Sequence, residues 1–170
     1  MPEQHTKNVG TERTLIAYAT KGGVTEESAN VIADILRTKH GFEVDLVNLK
    51  KSPSPDLTQY KNIFIGSGVR MGRWYKQARK LLDNNFEGKN LVIFLSSCSA
   101  GNPEKYKEAI TKYIHEVIAK YPLIKPFAAE AFGGRMKMFG RTVEDNCDMD
   151  KVRVWAEMVG EKLKCETLGK

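Results

Sequence analysis

Short apolar segments alternate with longer amphipathic segments along most of the chain. Segments that are apolar, or alternate in polarity, and that end near Gly, Pro or small polar residues are typical of strands. Strands are therefore predicted over residues 13–19, 43–49, 62–66, 90–96 and 125–132. Apolar residues at helical spacing predict helices over residues 25–39, 74–82, 103–117 and 150–164. In the first helix, Thr25 is the expected N-cap and Gly41 the expected stop.

The alternation of strands and helices predicts a parallel sheet with helices on both faces. The run Leu-Val-Ile-Phe-Leu at residues 91–95 is apolar on both faces, as in a central strand. We therefore expect an α/β three-layer sandwich whose five-stranded parallel sheet has the order 2-1-3-4-5. Ligands of such folds bind at the carboxyl ends of the strands, so the loops after strands 1, 3, 4 and 5 are the candidates for chemistry.

The length of 170 residues corresponds to one domain. Residues 1–12 are polar and lack periodicity, so we expect a disordered tail followed by a folded domain over residues 13–170. No apolar run is long enough for a transmembrane helix, and the N-terminal residues do not resemble a signal peptide. The three cysteines form no CxxC pair, which favours a reducing, cytoplasmic location.

The loop between the first strand and the first helix combines hydroxyl groups, glycines and a lysine. Its residues are Thr20, Lys21, Gly22, Gly23, Val24 and Thr25. Glycines let consecutive N–H groups point at one ligand, and the helix N-terminus adds unpaired N–H groups and a positive dipole. The loop is suited to hold a phosphate without a metal, although a plain turn with a threonine cap has a similar composition. GxxxxGK[ST] and GxGxxG are absent from this loop, which excludes a P-loop nucleotide hydrolase.

This loop resembles the Thr-x-Thr-Gly-x-Thr signature of the flavodoxin family, with Gly22 where the middle hydroxyl often stands. The resemblance extends over about residues 14–163 and implies a flavodoxin-like sandwich. It further implies that the loop from Thr20 to Thr25 holds the 5′-phosphate of FMN.

The segment from Gly66 to Trp74, at the end of strand 3, contains three glycines, which allow a flat ligand to approach the backbone closely. Its candidate cofactor-binding residues are Ser67, Gly68, Val69, Arg70, Met71 and Gly72. The segment IGSGVRMGRWYKQARKLL is similar to that of the flavodoxin-like, menaquinone-dependent protoporphyrinogen dehydrogenases. The family resemblance implies that this loop lies along one side of the flavin ring. Trp74 either stacks on the ring or begins the buried face of the next helix, and Met71 is an alternative ring contact.

The loop after strand 4 consists of small residues and leads into a helix that Asn102 is expected to cap. Its candidate cofactor-binding residues are Ser97, Cys98, Ser99, Ala100, Gly101 and Asn102. By resemblance they form the second wall of the ring pocket, although this loop lacks the tyrosine that many flavodoxins carry there. Proximity to a helix N-terminus can lower a thiol pKa, but a small packing residue is the favoured interpretation of Cys98.

The net charge of +6 is concentrated partly at the predicted ligand end. The candidate residues of a substrate or partner rim are Arg70, Arg73, Trp74, Arg135 and Lys137. Such a rim would attract an acidic redox protein or a carboxylate-bearing small molecule, whereas solvated helix faces explain part of the same charge. Residues 133–150 carry a short apolar tip, so at most peripheral membrane contact is expected. No aromatic–basic motif indicates specific nucleic-acid binding.

These observations predict an FMN-binding redox protein that transfers electrons to or from an acidic partner or a small acceptor such as a quinone. Two alternatives stay open: a quinone-dependent, protoporphyrinogen dehydrogenase-like oxidoreductase, and a non-redox binding module that has lost flavin. No metal site is predicted, and no side chain stands out as a catalytic acid or base. The sequence leaves open whether the protein is an enzyme or an electron carrier.

Overall fold

Five parallel strands form the central sheet of the computed structural model, which describes residues 13–168. In chain order, the strands of this sheet are β1 (Thr14–Ala19), β2 (Val44–Asn48), β3 (Asn62–Arg70), the two-residue β4 (Arg73–Trp74), β5 (Asn90–Ser97) and β6 (Ala128–Gly133). The long strands follow the order β2-β1-β3-β5-β6, and β4 pairs antiparallel with the end of β3. This is the predicted 2-1-3-4-5 order of a flavodoxin-like sandwich, which is confirmed. The tail predicted over residues 1–12 lies outside the described residues.

Helices cover both faces of the sheet, as the alternating pattern predicted. The helical segments are α1 (Val24–His40), α2 (Lys76–Leu81), α3 (Tyr106–Ile110), a π-helical turn (Thr111–His115), α4 (Glu116–Ile118) and α5 (Met149–Leu168). Helices α1 and α5 pack against each other on one face, over Ile16, Phe64 and Phe94. Helix α2 and the segment from α3 to α4 cover the other face, over alternate strand residues such as Ala17 and Ile65.

The helix ends differ from the predicted caps at two N-termini. Helix α1 has Gly23 as its N-cap, at φ 87°, and no side chain of residues 13–168 caps it, so the prediction for Thr25 was wrong. Helix α3 begins only at Tyr106 with Lys105 as its N-cap, and Asn102 accepts the Glu104 N–H in a separate turn before it (3.0 Å). Gly41 does end α1 in a left-handed conformation at φ 67°, as expected for a helix stop.

Two β-hairpins that the polarity pattern did not predict extend from the carboxyl end of the sheet. In the first, the turn Met71-Gly72 joins β3 to β4. In the second, the turn Phe139-Gly140 joins β7 (Arg135–Met138) to β8 (Arg141–Asp145). All four turn residues have positive φ, which is the geometry of type I′ turns. The usual Asn-Gly signal for such turns is absent, so the sequence did not reveal them.

Within residues 13–168, no helix has the length and apolar character needed to cross a membrane.

Candidate functional site

A cavity of about 350 Å³ opens at the carboxyl ends of β1, β3, β5 and β6. Its lining residues are Thr20, Lys21, Gly22, Val24, Thr25, Gly68, Val69, Met71, Gly72, Tyr75, Ser96, Ser97, Cys98, Ser99, Tyr113, Gly134, Arg135 and Met136. Because carboxyl ends of parallel strands share one edge of a sheet, all four loops selected from the sequence meet at this cavity.

The loop after β1 forms one end of the cavity and has the features of an anion cradle. The Gly23 N–H donates a hydrogen bond to Thr20 Oγ1 (3.0 Å), which shapes the turn. Thr25 is 1% exposed, and its Oγ1 has no hydrogen-bond partner among the described residues. A Cβ added at Gly22 or Gly23 would meet no atom within 4 Å, so the space above the loop is open. Helix α1 adds the unpaired N–H groups and positive dipole of its first turn.

The loop after β3 brings an aromatic ring to this cradle. A Cβ at Gly68 would lie 3.0 Å from Tyr75 Cε2 and 3.5 Å from Thr25 Oγ1, so the glycine permits their close approach. Ser67 is fully buried: its Oγ accepts the Tyr75 N–H (3.0 Å) and donates to the Gly68 carbonyl (2.7 Å). Ser67 therefore holds the loop together from beneath and does not line the cavity. Arg70 is exposed outside the lining, whereas Val69, Met71 and Gly72 line it.

The loop after β5 contributes hydroxyl groups to the cavity wall. Ser97 Oγ and Ser99 Oγ lie 2.8 Å apart, and the buried Ser96 Oγ has no hydrogen-bond partner among the described residues. Ala100, Gly101 and Asn102 were predicted to bind the cofactor, but the structure places them outside the cavity lining. A Cβ at Gly101 would lie 2.5 Å from Asn146 Cβ, so this part of the loop packs against the segment that follows β8.

Cys98 lines the cavity, but its environment does not favour a reactive thiolate. Burial raises the pKa of the Cys98 thiol, and the negative charges of Glu144 and Asp145 raise it further. A thiol with a raised pKa remains protonated and is a poor nucleophile at neutral pH. The structure therefore supports the interpretation of Cys98 as a small packing residue.

Trp74 belongs to the core and not to the rim. Its side chain is 3% exposed, and its indole Nε1–H donates to the Tyr113 carbonyl oxygen (2.7 Å). Both its predicted rim position and a stacking role on a ligand in the cavity are thus contradicted. The indole instead anchors the π-helical turn that contains Tyr113.

Tyr75 and Tyr113 supply the aromatic lining that the sequence analysis missed. Tyr75 directly follows the buried Trp74, and Tyr113 lies in the π-helical turn, far from the loops in sequence. Lys50 Nζ lies 5.0 Å from the centroid of the Tyr75 ring, and Lys112 Nζ lies 5.4 Å from that of the Tyr113 ring. Neither tyrosine belongs to a glycine-rich loop, so no local signal marked it. Ser96, Gly134 and Met136 complete the set of lining residues that were not predicted.

Arg135 was predicted to add free positive charge to the basic rim, but in the structure it is paired with two carboxylates. Its Nε lies 3.1 Å from Asp145 Oδ2 and its Nη1 lies 3.4 Å from Glu27 Oε2. The pKa of Asp145 is lowered to about 2, by the Cys147 N–H and by Arg135 itself. Arg135 therefore lines the cavity as a neutralised group that connects β7 to α1. Arg70, Arg73 and Lys137 are exposed and form no ion pair among residues 13–168.

Solved structures with the same fold include two flavodoxins from Bacillus cereus. Oxidised flavodoxin 2 is 23% identical, with a TM-score of 0.60, over 88% of this chain and 99% of that chain. Oxidised flavodoxin 1 is 18% identical, with a TM-score of 0.58, over 87% of this chain and 97% of that chain. The rubredoxin:oxygen oxidoreductase of Desulfovibrio gigas has a TM-score of 0.64 at 16% identity, over 93% of this chain but 37% of its own length.

Among curated proteins, the chain is similar to the quinone-dependent protoporphyrinogen IX dehydrogenase of Escherichia coli K12. Identity is 23% over 109 residues, which is 62% of this chain. The match spans 60% of the length of that relative. This similarity agrees with the resemblance of the loop after β3 to the flavodoxin-like, menaquinone-dependent protoporphyrinogen dehydrogenases.

A family model described as a flavodoxin domain matches residues 15–154, which is most of the chain. The residues of the cavity fit the phosphate of a flavin nucleotide, because open glycines, a helix N-terminus and a buried hydroxyl with no partner in the described part of the chain converge there. The chain therefore belongs to the flavodoxin family, and FMN is the cofactor that this membership indicates.

Proposed function

We propose that this protein binds FMN in the cavity at the carboxyl edge of its sheet and exchanges electrons with an acidic redox protein or a small acceptor. The observation that carries the proposal is the Thr25 hydroxyl, which is buried with no hydrogen-bond partner in residues 13–168. It faces an open loop at the N-terminus of a 17-residue helix. Leaving a buried hydroxyl unpaired costs free energy, so such a group points to a ligand that completes it.

The proposal assigns the two ends of the cavity to two parts of FMN. Thr20, Lys21, Gly22, Gly23, Val24 and Thr25 hold the phosphate through hydroxyl and N–H donors and the lysine charge. Gly68, Val69, Met71, Gly72, Ser97, Cys98 and Ser99 flank the ring, and Tyr75 and Tyr113 add aromatic surface. FMN supplies the electron-transfer chemistry when bound, and the chain provides binding, orientation and charge.

The test is FMN affinity, measured by flavin fluorescence quenching in wild type and Thr25→Val. Valine keeps the shape of threonine and removes the hydroxyl. A hydrogen bond to a charged group contributes about 1.5–3 kcal/mol, so we expect the FMN Kd to rise about tenfold to a hundredfold. Ser28→Ala is the matched control, because Ser28 Oγ is also buried in α1 without a partner among the described residues but does not line the cavity.

Riboflavin, which lacks the phosphate, distinguishes the loss of a phosphate contact from general damage to the cavity. Its affinity should be equal in wild type and Thr25→Val. If the variant binds FMN as tightly as wild type, the phosphate assignment is wrong. If wild-type protein takes up no FMN, the redox function is wrong and the non-redox binding module gains support.

A second candidate function is quinone-dependent oxidation of protoporphyrinogen or a similar carboxylate-bearing compound. The similarity to the Escherichia coli dehydrogenase favours it, and the exposed basic residues beside the cavity suit carboxylates. Oxidation of protoporphyrinogen that depends on added quinone would support this enzyme over an electron carrier. A cytoplasmic location remains a prediction from the cysteine content.

A further inference from the structure

Two hairpins of the same construction border the mouth of the cavity. The β3–β4 hairpin turns at Met71-Gly72 and the β7–β8 hairpin at Phe139-Gly140, each with positive φ at both turn positions. Met71 from the first hairpin and Met136 from the second both line the cavity. A molecule seated across both hairpins would therefore cover the mouth of the cavity.

Each hairpin presents an exposed apolar residue at the position where its backbone is strained. Met71 is 92% exposed and Phe139 is 99% exposed. Their φ values of 50° and 49° lie in the left-handed region, which glycine or asparagine adopts more easily. Met136 and Met138 add further exposed apolar surface on β7. Strained backbone and solvent-exposed apolar side chains together point to a contact surface.

Basic side chains surround these apolar residues. Arg70 and Arg73 flank the first turn, and Lys137 and Arg141 lie beside the second. All four are exposed and form no ion pair within the described part of the chain. Arg135 carries one positive charge against its two carboxylate partners, and Glu144 on β8 adds a further negative charge. The four exposed basic residues outnumber these, so the surface is positive overall. We call Met71, Met136, Met138, Phe139 and these four basic residues the tip surface.

The composition of the tip surface matches a protein interface better than a lipid contact. Met, Phe and Arg are enriched at the centres of protein interfaces, whereas Lys is depleted. The tip surface has three arginines to one lysine, and three of its four apolar residues are methionines, whose flexible side chains adapt to a partner. A bilayer attracts lysine and arginine alike, and interfacial lipid contacts favour Trp, Phe and Leu.

We propose that the tip surface docks an acidic redox protein, whose apolar patch contacts Met71 and Phe139 and whose carboxylates pair with the surrounding arginines. This inference rests on the proposed function, because the docked partner would cover the mouth of the FMN cavity. The positive surface selects an acidic partner and speeds its approach. The apolar tips provide the contact that sets how long the complex lasts.

The experiment measures binding by isothermal calorimetry to two acidic probes, a plant-type [2Fe–2S] ferredoxin and a rubredoxin, with basic cytochrome c as the opposite-charge probe. Wild type should bind an acidic probe, and Phe139→Ser should raise its Kd at least tenfold. Arg141→Glu should weaken binding and reduce its salt dependence. Leu123→Ser and Lys125→Glu are the matched controls, because both residues are exposed beside the amino end of β6, at the opposite edge of the sheet.

Three results would overturn the proposal: neither acidic probe binds, Phe139→Ser binds as wild type does, or cytochrome c binds better. Binding only to phosphatidylcholine vesicles that contain phosphatidylglycerol would assign the tip surface to a bilayer instead. FMN loading is measured separately by absorption, and the binding of each variant to the probes is also measured in its flavin-free form. Docking that persists in protein unable to take up FMN would leave this inference standing while the proposed function fails.

Discussion

Replacing Trp74 by phenylalanine tests whether the core organises the proposed FMN site. The Trp74 side chain is buried beneath the β3–β4 hairpin, and its Nε1–H donates to the Tyr113 carbonyl in the π-helical turn. Phenylalanine keeps an aromatic ring in the core but lacks the donor. The π-helical turn then loses its anchor, and Tyr113 is no longer held against the cavity.

The expected loss of stability has two parts. The phenylalanine ring buries about two fewer carbon atoms than the indole, which lowers the hydrophobic stabilisation by about 1.5 kcal/mol. The Tyr113 carbonyl loses its indole donor, which costs about 1–2 kcal/mol in a partly buried position. The free energy of unfolding should thus fall by about 3 kcal/mol, and the melting temperature by about 6–12 °C for a domain of this size.

Trp155→Phe is the matched control because Trp155 is also buried but lies on the other face of the sheet. It packs edge-on against Phe132, with ring centroids 5.3 Å apart, and does not line the cavity. Urea unfolding should show both variants destabilised, and Trp74→Phe more strongly. FMN titration should show weaker binding for Trp74→Phe only. Unchanged FMN affinity in Trp74→Phe, or a stability loss below about 1 kcal/mol, would refute the anchoring role.

Two further predictions concern stability. Burial lowers the pKa of His40 below its usual 6.5, an effect reinforced by Lys164 and opposed by Glu161 and Glu157. At low pH the unfolded chain protonates His40 more readily than the folded chain does, so the unfolding free energy should fall as the pH drops below about 6.5. In urea titrations, the unfolding free energy of His40→Gln should depend less on pH in that range. Gly133→Ala would place a Cβ 1.7 Å from the Asn146 carbonyl oxygen, so we expect a large drop in melting temperature and lost FMN binding. Gly88→Ala should show a smaller drop and retained FMN binding, because its surroundings are open and only its φ of 73° strains a side chain. A melting temperature for Gly133→Ala within a few degrees of wild type would contradict that close contact.

Much of the candidate site followed from local sequence. Residues Thr20 to Thr25 run from the end of β1 into the first turn of α1, because a buried strand, a glycine pair and an amphipathic helix succeed one another there. The order of the strands was also predictable, since parallel strands with crossover helices allow few arrangements. The carboxyl-edge position of the site follows from that order.

Other features depended on contacts between distant residues. Tyr113 enters the cavity from a π-helical turn that Trp74 anchors, 39 positions away in the chain. Arg135 looked like free positive charge in the sequence, but the fold brings Asp145 and Glu27 to its guanidinium. Such pairings depend on which loops adjoin at the edge of the sheet, and no single segment contains that information.

Periodicity, turn residues and loop composition determined the strand order, the helix faces and the glycine-rich loop between β1 and α1, because each depends on the burial pattern or backbone freedom of neighbouring residues. Only the tertiary structure decided that Trp74 is a core anchor, that Tyr75 and Tyr113 line the cavity, and that Met71 and Phe139 are exposed at the turns of two hairpins. The physical reason is that burial, hydrogen-bond partners and local charge are set by residues that the fold brings together from distant parts of the chain.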